Sequence, residues 1–262
     1  MASNSPIGFF DSGVGGTSIW REVVHRLPHE NTIYLADSKN APYGEKDTQT
    51  ILDLSIKNTE VLLEKGCKLI VVACNTATTN AIDKLREIYA IPFIGIEPAI
   101  KPAALGTKSG AVGILATKGT LSSSLFARTS SVFASNIKVI ETMGTGLVEL
   151  IEAGKTNSME TRMLLEKLIA PMIERKIDQL VLGCTHYPYL IPILKELLPP
   201  SVTIIDSGGA VARQTENILK SRKILGESQN ARHTLYSNLD IEVLAQLTSD
   251  AAKNLRVEFL EF

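Results

Sequence analysis

At 262 residues, 44% of them hydrophobic and 21% charged, the chain has the size and composition of one large or two modest globular domains. Its formal net charge of −1 gives no electrostatic reason to expect a nucleic acid or an acidic membrane as partner. No apolar run approaches the roughly 18 residues that span a bilayer. Residues 1–6 are short and polar, unlike a signal peptide, and three cysteines do not form a disulfide framework, so a cytoplasmic protein with free thiols is expected.

In chain order, short β-branched apolar runs alternate with amphipathic stretches, the pattern of an α/β protein with mostly parallel sheets. Strands are predicted at residues 7–10, 32–35, 69–73, 93–96, 111–115, 138–140, 180–182 and 202–205. Most are continuous hydrophobic runs, as strands buried on both faces require. Helices are predicted at 47–65, with Ile51, Leu54, Val61 and Leu62 on one face and Gly66 closing it, and at 76–89. The last segment carries helices of its own and an apolar end at 255–262.

Two segments look alike. LIVVACNT at 69–76 and LVLGCTH at 180–186 are each an apolar strand, a small residue, a cysteine and a polar pair leading to a helix. FDSG at 10–13 and IDSG at 205–208 form a second pair. The repetition suggests two pseudosymmetric α/β halves, with boundaries near 96–98 and 207–209. The first domain is then residues 1–97 plus 209–262, and the second is 98–208. Ligands of open α/β sheets gather at the carboxyl ends of strands, where Cys74 and Cys184 both fall, so an interdomain cleft is expected to bring them together.

At a strand end just before a helix, the Cys74 thiol is expected to feel the positive end of the helix dipole, which favours thiolate. A free cysteine titrates at about 8.5, so a small downward shift makes it a usable base. Cys184 adds His186 two residues on. Cys67, without a repeat partner, reads as structural, and so does Asp206. The loop after Asp11 is glycine-rich and opens a helix, as anion cradles do, but it has neither the dinucleotide spacing nor a Walker lysine. Asp11 therefore suits a substrate ammonium or a proton-transfer partner. His25 and His29 lie in a polar helix-to-turn stretch, and His233 stands before a short strand. Cys67, Cys74, Cys184 and His186 lack the spacing of zinc ligands, and no metal or cofactor is expected. Thr117 and Thr120 are placed to cap a helix or to bind a carboxylate.

Together, FDSGVGG at 10–16, APYG at 41–44, VACNTA at 72–77, EP at 97–98, ATKGT at 116–120, GCTHYP at 183–188 and DSG at 206–208 resemble the glutamate racemases of the aspartate/glutamate racemase superfamily. Thr17 and Trp20 depart from the aliphatic residues expected after the glycine loop. The resemblance implies interconversion of L- and D-glutamate without pyridoxal phosphate or metal, supplying D-glutamate for peptidoglycan, by a protein that forms a homodimer. It implies that Cys74 acts on the D-enantiomer and Cys184 on the L-enantiomer, assisted by Asp11 and His186. Ser12, Pro42, Tyr43, Gly44, Asn75, Thr76, Thr117, Thr120 and Thr185 match positions that hold the substrate, together with Asp11 and His186. Either Glu149 or Glu152 matches an assisting acid. The rival readings are an aspartate or broad-specificity racemase of the same superfamily, and a non-enzymatic binding or redox dithiol protein.

Overall fold

The computed structural model describes residues 3–133 and 137–262. The first half runs β1 (Ile7–Asp11), α1 (Thr17–Arg26), β2 (Thr32–Ala36), α2 (Thr48–Glu64), β3 (Leu69–Val72), α3 (Asn75–Ile88) and β4 (Phe93–Gly95). The second runs α4 (Ile100–Gly106), β5 (Ala111–Ala116), α5 (Lys118–Leu121), α6 (Ser124–Phe133), β6 (Lys138–Met143), α7 (Leu147–Glu152), α8 (Met159–Glu174), β7 (Gln179–Gly183), α9 (Ile191–Leu197) and β8 (Thr203–Ile205). The chain ends with α10 (Gly208–Ser221), β9 (His233–Ser237), α11 (Glu242–Thr248) and β10 (Leu255–Phe259).

Two sheets result, one ordered β10-β9-β2-β1-β3-β4 and the other β6-β5-β7-β8, and every strand pair in both is parallel. The block β2-β1-β3-β4 has the same order as β6-β5-β7-β8, so the halves share one topology. In that correspondence β3 matches β7, and the two cysteines that follow them occupy equivalent places. The DSG pair does not: Asp11 ends β1, whereas Asp206 follows β8, the counterpart of β4. The likeness of the two DSG segments is local, and only the cysteine segments mark the repeat.

The local reasons follow from composition. β1, β3, β5 and β7 are buried along their whole length, as apolar runs in the middle of a covered parallel sheet must be. The edge strands β6, β8 and β10 are only partly buried. α2 starts on Asp47, whose carboxylate accepts from the Thr50 N–H at 2.9 Å, and stops at Gly66, where φ is +75°. The eight predicted strands are all present. β9, which begins on His233 rather than after it, and β10 extend the first sheet beyond β2. Among the described residues no helix is long and apolar enough to cross a membrane.

The chain passes between the sheets after β4 and again after β8. The two crossings touch, because the Ser207 hydroxyl donates to the Glu97 carbonyl at 2.5 Å. Elsewhere, Gly44 lies against Thr117, and Gly119 against Thr76.

Candidate active site

The carboxyl ends of both sheets meet at a small, tightly closed cavity lined by residues that follow β1, β2, β3, β5, β6 and β7. Ser12, Pro42, Tyr43, Gly44, Cys74, Asn75, Thr76, Thr117, Cys184, Thr185 and His186, all expected from sequence, stand on its wall. Val148, which nothing in the sequence singled out, completes it. Asp11 and Thr120 are not on the wall. Asp11 is fully buried behind it, and Thr120 backs Thr117, which accepts from the Thr120 N–H at 3.3 Å. Asn75 is 3% exposed, and neither atom of its amide has a hydrogen-bond partner in the protein. Buried amides left without a partner are uncommon.

Cys74 caps α3, and its sulfur accepts from the Ala77 N–H at 3.4 Å while its thiol donates to Ser12 Oγ at 3.9 Å. The helix terminus is where the sequence placed it, but burial dominates the electrostatics. Burial, reinforced by the Asp11 carboxylate, pushes the Cys74 thiol well above its ordinary value, against the opposing Ala77 hydrogen bond. The downward shift expected from the dipole alone is thus reversed in this closed cavity. Burial likewise raises the Asp11 carboxyl, although His186 pulls it back.

Cys184 has different company. Its sulfur lies 3.7 Å from His186 Nδ1, and His186 Nε2 lies 2.6 Å from Glu152 Oε1. Burial alone would push the His186 imidazole down, but its hydrogen bonds to Cys184 and Glu152 and their charges hold it well above the ordinary histidine value. The ring thus presents Nδ1 to the Cys184 sulfur and Nε2 to the Glu152 carboxylate.

The geometry also decides between the two acids. Glu149 is exposed, whereas Glu152 reaches inward from the end of α7 to His186, the Val14 N–H (2.6 Å) and the Ser38 hydroxyl (3.0 Å). The glycine loop serves this cluster. A side chain at Gly13 would strike the Glu152 carboxylate, and one at Gly15 would strike the His186 ring. Its N–H groups bind anions, as the sequence suggested, but those anions belong to the protein: Val14 donates to Glu152 and Gly16 to Asp11, the latter at 2.7 Å.

Tyr43 is held by a buried network that sequence reasoning missed. Its hydroxyl donates to Asp37 Oδ2 at 2.5 Å and accepts from Asn58 at 3.1 Å, while Asn238 donates to Asp37 Oδ1 at 2.5 Å. The signal was available as an Asp directly after a strand, six residues before the tyrosine. Among the described residues no three His, Cys, Asp or Glu side chains converge as metal ligands would. Cys67 is buried away from the cavity, where desolvation pushes its thiol up to about 12.

The profile of the Asp/Glu/Hydantoin racemase family matches residues 15–215. The glutamate racemase of Pseudomonas paraeruginosa is 48% identical over 88% of this chain and 87% of its own, and that of Ectopseudomonas mendocina 49% identical over 92% of each. The crystal structure of Escherichia coli glutamate racemase, solved with L-glutamate and the activator UDP-MurNAc-Ala, superposes with a TM-score of 0.87 at 33% identity, covering 97% of this chain and 98% of that one. With two equivalent cysteines on one cavity wall and likeness of this extent, the chain belongs to the Asp/Glu/Hydantoin racemase family and, within it, to the glutamate racemases.

Proposed function

We propose that the chain interconverts L- and D-glutamate by two-base proton transfer between Cys184 and Cys74, supplying D-glutamate for peptidoglycan. The observation that carries the reading is the placement of two cysteines at equivalent strand ends, both on the wall of one buried cavity, in opposite electrostatic surroundings.

From L-glutamate, the Cys184 thiolate takes the α-proton, and the Cys74 thiol delivers its proton to the opposite face. The cysteines then hold the inverse protonation pattern, which serves the reverse reaction. His186 as imidazolium holds the Cys184 thiolate, and Glu152 holds His186 in that state. Burial keeps Cys74 protonated, the state that L-to-D turnover requires of it. Negative charge developing on the α-carboxylate in the transition state is met by Asn75 and by the hydroxyls of Thr76, Thr117 and Thr185. Ser12 and the turn of Pro42, Tyr43 and Gly44 complete the enclosure, and Asp11 modulates Cys74 from behind. Cys74 and Cys184 are 4% and 6% exposed, so the lip formed by Gly44 and Gly119 must part to admit substrate. No cofactor takes part in this scheme.

We read the two sheets as two domains, residues 1–97 with 209–262 and residues 98–208, the catalytic cavity lying in the cleft between them. We also take the protein to be a cytoplasmic homodimer, as the family resemblance implies. Aspartate is the rival substrate, and the extent of identity to glutamate racemases favours glutamate.

The test is incubation with L-glutamate in deuterated water, without pyridoxal phosphate or added metal, following optical rotation and Cα deuterium together. Loss of rotation with deuterium in the inverted product is expected. A folded protein that leaves both glutamate and aspartate unchanged refutes the reading.

A further inference from the structure

Thr17 stands where an aliphatic residue was expected, and it is fully buried, so its hydroxyl needs partners. It has two. Thr17 Oγ1 donates to the Val14 carbonyl at 2.5 Å and lies 2.5 Å from the hydroxyl of Tyr189. A threonine hydroxyl carries one proton, already committed to Val14, so in the second bond Tyr189 is the donor and Thr17 the acceptor. One residue along, the Ser18 hydroxyl donates to the Thr185 carbonyl at 2.8 Å.

These two bonds join particular pieces. Thr17 and Ser18 form the first turn of α1, directly after the glycine loop that grips Asp11 and Glu152. Tyr189 and Thr185 flank His186 on the turn that follows β7. α1 leads away from the cavity toward the chain crossings, where its Glu22 packs on Gly208. Thr17 and Ser18 therefore lie on the helix that also touches the second crossing.

We propose that Tyr189, through Thr17, is a positioning residue that sets the alignment of His186 against Glu152 and Cys184 during turnover. It does not line the cavity and acts only through the turn it anchors. The bond persists across the working range, because burial pushes the Tyr189 phenol up to about 12 and it keeps its proton. Removing the donor leaves Thr17 still bonded to Val14 and Ser18 to Thr185, so the fold keeps its local hydrogen bonds while the turn loses one of its two tethers.

The inference rests on the racemase reading, so wild-type turnover of glutamate is measured first; its absence refutes that reading and not the tether. Given wild-type turnover, Tyr189→Phe is expected to lower kcat about 3- to 10-fold in both directions, the range that one hydrogen bond spans. KM should stay within about twofold. The alkaline limb of kcat/KM for L-glutamate should move to lower pH as the imidazolium loses its alignment with Glu152. Thr17→Val should reproduce both effects, the double variant should be no worse than either single one, and Thr17→Ser should keep full activity. A Tyr189→Phe enzyme with wild-type kcat and pH limb overturns the proposal. So do losses that add in the double variant, or that follow a fall in melting temperature without a change in the pH limb.

Discussion

Cys74 and Cys184 follow corresponding strands of two sheets with the same order, yet each is wrapped in the opposite charge. Cys74 shares its space with a buried carboxylate, Asp11, and is held neutral by burial. Cys184 faces an imidazole that Glu152 holds in the charged form. A shared topology therefore fixes where the two sulfurs stand, and the loops that each half adds afterwards decide which charged groups surround them. The difference comes from a cross-over of parts. The carboxylate beside Cys74 also meets Thr185 of the second half at 3.4 Å, and the loop that binds Glu152 comes from the first half.

The largest effects are expected at the two sulfurs. Either Cys74→Ala or Cys184→Ala is expected to reduce racemisation at least about 10³-fold, within the range that a positioned acid or base contributes. The two variants should fail differently. Cys74→Ala should still exchange the α-proton of L-glutamate with deuterated water, and Cys184→Ala that of D-glutamate, neither with inversion. Exchange of both enantiomers by one variant, seen by NMR, would overturn the assignment of faces.

A smaller perturbation removes the charge that holds His186. Glu152→Gln should lower kcat about 10- to 100-fold, with the alkaline limb of kcat/KM moving to lower pH as the imidazolium loses its anionic partner. Glu149→Gln, on an exposed side chain, should change kcat less than about twofold. Equal effects at the two positions would contradict the inward reach of Glu152. The sign for stability is the same: a histidine raised on folding contributes stability that is full below its unfolded value near 6.5 and is lost as pH rises through the folded value. Glu152→Gln should therefore cost more stability at pH 6 than at pH 9, read by denaturant unfolding.

Smaller again is the indirect route through Tyr43. Asp37→Asn withdraws the acceptor from the Tyr43 hydroxyl and should raise KM roughly threefold to tenfold, with a lesser change in kcat, because one charge-assisted hydrogen bond orders a cavity-wall residue. Steady-state kinetics in both directions decides it, and unchanged KM in both would show that the turn is ordered by other contacts. The smallest effect concerns Asp11. Its burial raises its own carboxyl, a destabilising charge at neutral pH, so Asp11→Asn should raise the melting temperature by about 2 °C while lowering activity. A lower melting temperature would mean that the Gly16 and Thr185 hydrogen bonds outweigh the cost of burying the charge.

Much of this arrangement was legible before any coordinates. Continuous apolar runs mark strands covered on both faces, and eight of the ten were placed that way. The other two lie in the terminal segment: β9 mixes polar and apolar residues, and β10 is an edge strand whose exposed Arg256 and Glu258 blur the run. The two cysteines stood out because they share a local context, and the strand order bears out their equivalence. The DSG pair shared a context equally well and misled, since three residues fix a turn but not a strand's place in a sheet. Choosing between Glu149 and Glu152 required the direction of α7, which a separation of three residues on a helix cannot give. The sign of the Cys74 shift was beyond sequence for a related reason. A helix terminus is visible in the letters, but the degree of burial that overrides it depends on both sheets.

The appended strands have a consequence for how the molecule comes into being. The second sheet is built from one continuous stretch, residues 111–205, and can close as soon as that stretch has left the ribosome. The first sheet spans residues 7–259, and β9 must slot between β2 and β10 at its far side. The Asn238 that steadies Asp37 arrives only with that late segment. During synthesis, the part of the site that carries Cys184 is therefore assembled first, and the part that carries Tyr43 waits for the last residues. A ribosome-bound chain arrested before residue 233 should hold a formed second sheet and an unfinished first one, with the substrate lip as the final piece to take shape.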